Sequence, residues 1–246
     1  MRRAWLVARK DIKEAFGRRA MMLRMGVVSL LLPVFYGVLT GREIGDAVQR
    51  HQPVGAALGG TIPLFAAIVA VVGAMLAITI TAHAIAGERE WRTIEALLAT
   101  PTSDLEIFAG KVLAALLPAV VMGYGGGLLF FGSARLTAGA AATGSAPGML
   151  AAAKVIALGV PVCATILAAI GVIVSARCAT AASAQQISGL AVMPVLGLII
   201  YAGLKLSQWS APVLLLLLAG MLVLCAALLL LGAKSLGREE LIARLD

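Results

Sequence analysis

The chain reads as an all-α polytopic membrane protein with six spanning helices, and three observations predict this. Of its 246 residues, 61% are hydrophobic and only 13% are charged, whereas a soluble domain carries about a quarter charged residues. A water-soluble fold of this composition would lack the polar residues to cover its surface. The apolar residues also gather into six runs, each near the length of about 20 residues that a helix needs to cross a bilayer. Finally, the basic residues are unevenly placed. With the N-terminus inside, fifteen of the twenty lie on inner segments and five on outer ones. That bias is the positive-inside signature of a multi-pass protein in the cell (inner, cytoplasmic) membrane, with both termini cytoplasmic.

The N-terminal segment, residues 1–20, is helical in pattern. Trp5, Ala8, Ile12 and Phe16 recur at spacings of three and four and share one face. Most of Arg2, Arg3, Lys10, Lys13 and Arg18 point elsewhere. An interfacial amphipathic helix follows, anchored in the headgroups by Trp5, Ile12 and Phe16; a solvated basic arm is the alternative. Met1–Leu23 is too basic and polar to form the apolar stretch of a removable signal sequence. The formal charge of +8 does not point to nucleic acid. Eight of the twenty basic residues crowd the first 24 positions, where cytoplasmic anchoring charge belongs.

Six spans follow within a single membrane domain, residues 1–246. They are Met21–Thr40, Thr61–His83, Ala109–Phe131, Met149–Val174, Ala184–Leu204 and Ala211–Ala233. Arg24 can snorkel to the interface, and Met149–Val174 is long enough to tilt or to kink at Pro161. The connecting segments are short. Gly41–Gly60 and Gly132–Gly148, the longest outer ones, leave no room for a soluble domain. Gly123 and Gly127 form a G-x-x-x-G pair that suits close helix packing, within the chain or at a dimer seam. Cys163, Cys178 and Cys225 are widely spaced in or beside apolar runs; this is the pattern of small buried residues, with no metal-ligand spacing. Ionisable groups near a bilayer midplane, expected of ion-coupled carriers, are missing from the sequence. With only His51 and His83 and no catalytic motif, an intramembrane enzyme has little to work with.

The most informative stretch is Gly87–Lys111, an inner segment with eight charges beside an apolar set. Trp91, Ile94, Leu97 and Leu98 fall at helical spacing. Pro101 disfavours helix at Thr100. Ser103-Asp104-Leu105-Glu106 has the pattern of a capping box, so a new helix starts there and runs into the third span. The short helix before the break either docks into a groove on a soluble partner or lies on the bilayer or beneath the bundle. Nearby, His83, Gln185, Gln186 and Ser188 place polar groups at the inner ends of spans two and five. They are candidates for a translocation path or ordinary interfacial anchors.

The string Glu88-Arg89-Glu90-Trp91-Arg92-Thr93-Ile94-Glu95-Ala96-Leu97-Leu98-Ala99-Thr100-Pro101 resembles the E-R-E-x-G-T-x-E-x-L-L-x-T-P signature of ABC-2 type transporter permeases. Glu88, Arg89, Glu90, Thr93, Glu95, Leu97, Leu98, Thr100 and Pro101 match, while Arg92 stands where the family commonly has Gly. The basic N-terminal helix, the six spans and the tail Gly237–Leu241 extend the likeness. The resemblance implies a permease of an ATP-driven transporter, most simply an exporter. It would pair with a second copy or a sister permease and dock cytoplasmic ABC ATPase subunits through a gate and coupling segment at residues 87–101. The residues carried over are Glu88, Arg89, Glu90, Trp91, Thr93, Ile94, Glu95, Leu97, Leu98, Thr100 and Pro101. The sequence contains no G-x-x-x-x-G-K-[ST] phosphate loop. ATP and Mg would therefore be held by the partner ATPase, this chain itself binding no cofactor or metal and having no enzymatic site. A stand-alone secondary transporter or channel is the alternative, and a haem-exporter membrane subunit is a narrower one within the same class.

Overall fold

The computed structural model describes residues 2–17, 19–52, 60–91, 103–139, 146–190 and 192–206, with Gly220, Val223, Ala227 and Leu230 as isolated positions. Nearly all of these residues are helical, with no strand among them. The elements are α1 (Arg2–Gly17), α2 (Arg19–Gln49), α3 (Thr61–Ala82), α4 (Asp104–Ala138), α5 (Ala146–Arg177), α6 (Ala181–Leu190) and α7 (Val192–Leu206). A π-helical turn, His83–Gly87, and a last α turn, Glu88–Glu90, extend α3.

Five segments among the described residues are long and apolar enough to cross a membrane: Gly26–Gln49, Thr61–Glu90, Leu105–Ala138, Gly148–Arg177 and Ala181–Tyr201. The expected sixth span, Ala211–Ala233, lies outside the described residues apart from those four positions. Helices run beyond the apolar stretches that announce them. The first spanning helix continues to Gln49, through much of the connection expected at Gly41–Gly60. The 35 residues of α4 extend about 52 Å at 1.5 Å per residue, well past a hydrocarbon core of about 30 Å. No charge occurs between Lys111 and Arg135 of α4, nor between Lys154 and Arg177 of α5. Each gap corresponds to roughly 35 Å of helix, so the two helices offer the bilayer equal charge-free lengths.

The centre of the bundle is α3, which packs against α2, α4, α5, α6 and α7. It is apolar on all sides, as a helix surrounded by other helices must be. Lipid supplies no hydrophobic drive between helices, so close approach of backbones has to hold them together. Glycine provides it. A methyl group added at Gly73 would strike the Cα of Gly123 where α3 crosses α4, and one at Gly37 would strike Phe130 and Ser133 where α2 crosses α4. The G-x-x-x-G pair is used within the chain, since Gly123 faces Val160 and Gly127 faces Ile156 of α5.

Candidate functional site

At the end of α3 the helix widens into a π turn, which frees backbone groups from the regular α ladder. In an apolar bundle those groups need partners. Ser175 of α5 provides them. Its hydroxyl accepts from the backbone N–H of Ile85 at 3.1 Å and of Ala86 at 3.0 Å, and donates to the Ala82 carbonyl at 3.0 Å. One turn earlier on the same face of α5, Gly171 lets Thr81 approach so closely that no Cβ would fit. Within the π turn, Gly87 leaves room for the His83 ring, and that ring stacks on Trp91 with centroids 6.1 Å apart and planes 9° from parallel.

The residues that follow turn inward and anchor to three other helices. Glu88 is buried and pairs with Lys111 of α4 at 3.1 Å and with Lys10 of α1 at 3.5 Å. Lys111 also reaches Asp11 of α1 at 3.5 Å and donates to the Ala84 carbonyl of the π turn. The fully buried Lys111 ammonium donates to the Asp11 carboxylate and the Ala84 carbonyl and has the Glu88 carboxylate beside it as an ion-pair partner. That matters because a buried charge left unpaired costs several kcal/mol, an order-of-magnitude figure. The four side chains form an alternating series, Lys10, Glu88, Lys111, Asp11. Arg89 turns the other way and donates to the Cys178 carbonyl at 2.9 Å and the Ala176 carbonyl at 3.4 Å. Its positive charge thus sits at the C-terminal end of α5, where the helix dipole favours it.

Glu90 and Trp91 are exposed and lead out of the bundle. Thr93, Ile94, Glu95, Leu97, Leu98, Thr100 and Pro101 of the expected coupling segment lie outside the described residues. The chain returns at Ser103, and the capping box is formed as the sequence indicates. The Glu106 N–H donates to the Ser103 hydroxyl and the Ser103 N–H to the Glu106 carboxylate, both at 3.3 Å.

The other expected site residues distribute as follows. Trp5 is half exposed and Ile12 half buried, while the side chain of Phe16 lies outside the described residues. The fully buried Ala8 and the nearby Asp11 mark the side of α1 that packs along α4. Ala184 joins Ala82, Ala86 and Cys178 in a small apolar cluster, which brings the start of α6 against the π turn. His83 and the Gln185–Ser188 region therefore share one end of the bundle. Gln186 is exposed, Gln185 is half buried and Ser188 is buried inside the chain. Sequence reading missed Ser175 and Asp11 altogether and took Lys10 and Lys111 only as basic residues of the inner side. A lysine in the early part of α4 with no further charge before Arg135 was the available signal for Lys111.

A family model described as ABC-2 family transporter protein matches residues 5–219. The chain belongs to the ABC-2 transporter family. The match runs from within α1 through α7 and covers the whole Glu88–Pro101 segment. ABC-2 permeases are multi-pass membrane subunits that associate with ABC ATPase subunits. Comparison with the curated proteins finds no match.

Proposed function

We propose that this ABC-2 permease is the membrane half of an ATP-driven exporter, working as a dimer with a second copy or a sister permease. Separate cytoplasmic ABC ATPase subunits bind ATP and Mg, and their closure pushes on Glu88–Pro101. Both termini face the same cytoplasmic compartment. The observation that carries this reading is the anchoring of the E-R-E start. Glu88 ties the segment to α4 and α1, and Arg89 ties it to the end of α5, while Glu90 and Trp91 are exposed. A push on the emerging part therefore reaches three helices at once. His83, Gln185, Gln186 and Ser188 border the path near this end.

The test is co-purification with the ATPase subunit. Changing Leu97→Asp together with Leu98→Asp abolishes the complex if the segment is the docking surface, and unaltered assembly overturns that role. A stand-alone carrier or channel would transport in vesicles containing the purified chain alone. The E-R-E-x-x-T-x-E-x-L-L-x-T-P string favours the ATP-driven reading.

A further inference from the structure

Two neighbouring residues of α1, Lys10 and Asp11, carry opposite charges and meet a buried pair of opposite charges on two other elements. The cation of α1 meets the acid, Glu88, and the acid of α1 meets the cation, Lys111. Each contact with α1 spans 3.5 Å, and the pair between them 3.1 Å. The Glu88 and Lys111 side chains are nearly or fully buried, and that of Asp11 is 12% exposed. Like charges forced together there would repel far more strongly than in water.

We propose that α1 is a latch held by matched polarity: Lys10 and Asp11 clip the N-terminal helix to the Glu88–Lys111 pair, so that α1 and the start of the coupling segment move as one body. The inference rests on the coupling role given to Glu88–Pro101 only for the meaning of that movement. The latch itself is a property of this chain. Among the described residues, Ala8 is the buried apolar side chain of α1, and exchanging Lys10 with Asp11 leaves it in place. The order of Lys10 and Asp11 is thus a positioning device separable from the fold of the helix.

The experiment exchanges that order. Lys10→Asp with Asp11→Lys keeps composition and net charge and reverses only polarity. Amide hydrogen exchange is read on the full chain in lipid nanodiscs, without an ATPase. Exchange across α1 is expected to rise at least tenfold, with α2 and the middle of α5 unchanged. Adding Glu88→Lys and Lys111→Glu restores matched polarity and is expected to restore protection. Placing the exchange in a Glu88→Gln, Lys111→Met background removes the partner charges and should shrink its effect to less than twofold; this pair of variants decides the matter if the fourfold variant does not fold. Unchanged α1 exchange in the first variant overturns the latch, as does an equal effect in the neutral background. Failure of the ATPase complex to form would leave these readouts untouched, so the latch and the coupling reading fail separately.

Discussion

Ser175 holds Ile85 across 90 positions of sequence, its hydroxyl accepting that N–H at 3.1 Å. The same oxygen serves Ala86 and the same group donates to Ala82, so one hydroxyl satisfies three backbone groups of the π turn. Ser175→Ala leaves two buried N–H groups without this acceptor, and a buried donor left unmade costs about 1–3 kcal/mol. The expected outcome is a lower melting temperature in detergent, with faster amide exchange confined to residues 82–91. A melting point equal to that of the parent would contradict the assigned role.

Lys111→Met removes the ammonium and leaves Glu88 and Asp11 facing a buried methyl group. Removing one partner from a buried pair typically costs about 3–5 kcal/mol. Thermal unfolding of the purified variant should show most of that loss, and adding Glu88→Gln should recover part of it. Non-additivity of at least 1 kcal/mol, an order-of-magnitude threshold for residues in contact, is the sign to seek in the double-mutant cycle.

Glycines on the same helix should differ sharply. Gly123 has its space occupied by Val160, with a contact of 2.6 Å waiting for any Cβ, while Gly125 has nothing within 4 Å. Gly123→Ala is expected to destabilise by about 1–3 kcal/mol through overpacking. Gly125→Ala is expected to be neutral or slightly stabilising, since alanine is the better helix former. Thermal shifts of the two proteins, measured side by side, give the comparison.

Topology can be read by labelling. In a background without native cysteines, Lys13→Cys and Trp91→Cys should both react with an impermeant maleimide from the cytoplasmic face. Arg50→Cys should react only from the opposite face, since between them lies Gly26–Gln49, a segment long and apolar enough to cross the membrane. Equal labelling of Lys13→Cys and Arg50→Cys from one side would refute the proposed orientation.

The features legible in the sequence were those whose causes are local. A bilayer imposes length and apolarity on each span, so α3, α4 and α5 announce themselves as long uncharged runs. The capping box at Ser103 and Glu106 was legible because its partners stand three residues apart. What stayed hidden depends on distant residues. Ser175 meets Ile85 across 90 positions, and Lys111 meets Asp11 across 100. A serine in an apolar helix and a lysine near a helix start look ordinary until packing brings their partners to them. The π turn was hidden as well, since residues 83–87, His-Ala-Ile-Ala-Gly, carry no local signal that departs from a plain helix.

The π turn His83–Gly87 separates the phase of the helix beyond it from one residue of length. A π turn accommodates an extra residue within a helix, and each residue advances an α-helix by about 100°. In a plain α-helix the extra residue would swing Glu88 and Arg89 round by that angle, away from Lys111 and the α5 carbonyls; the wide turn His83–Gly87 takes it up locally and leaves both facing their partners. One residue of length can therefore be taken up at this turn without turning the anchorage away from α4 and α5.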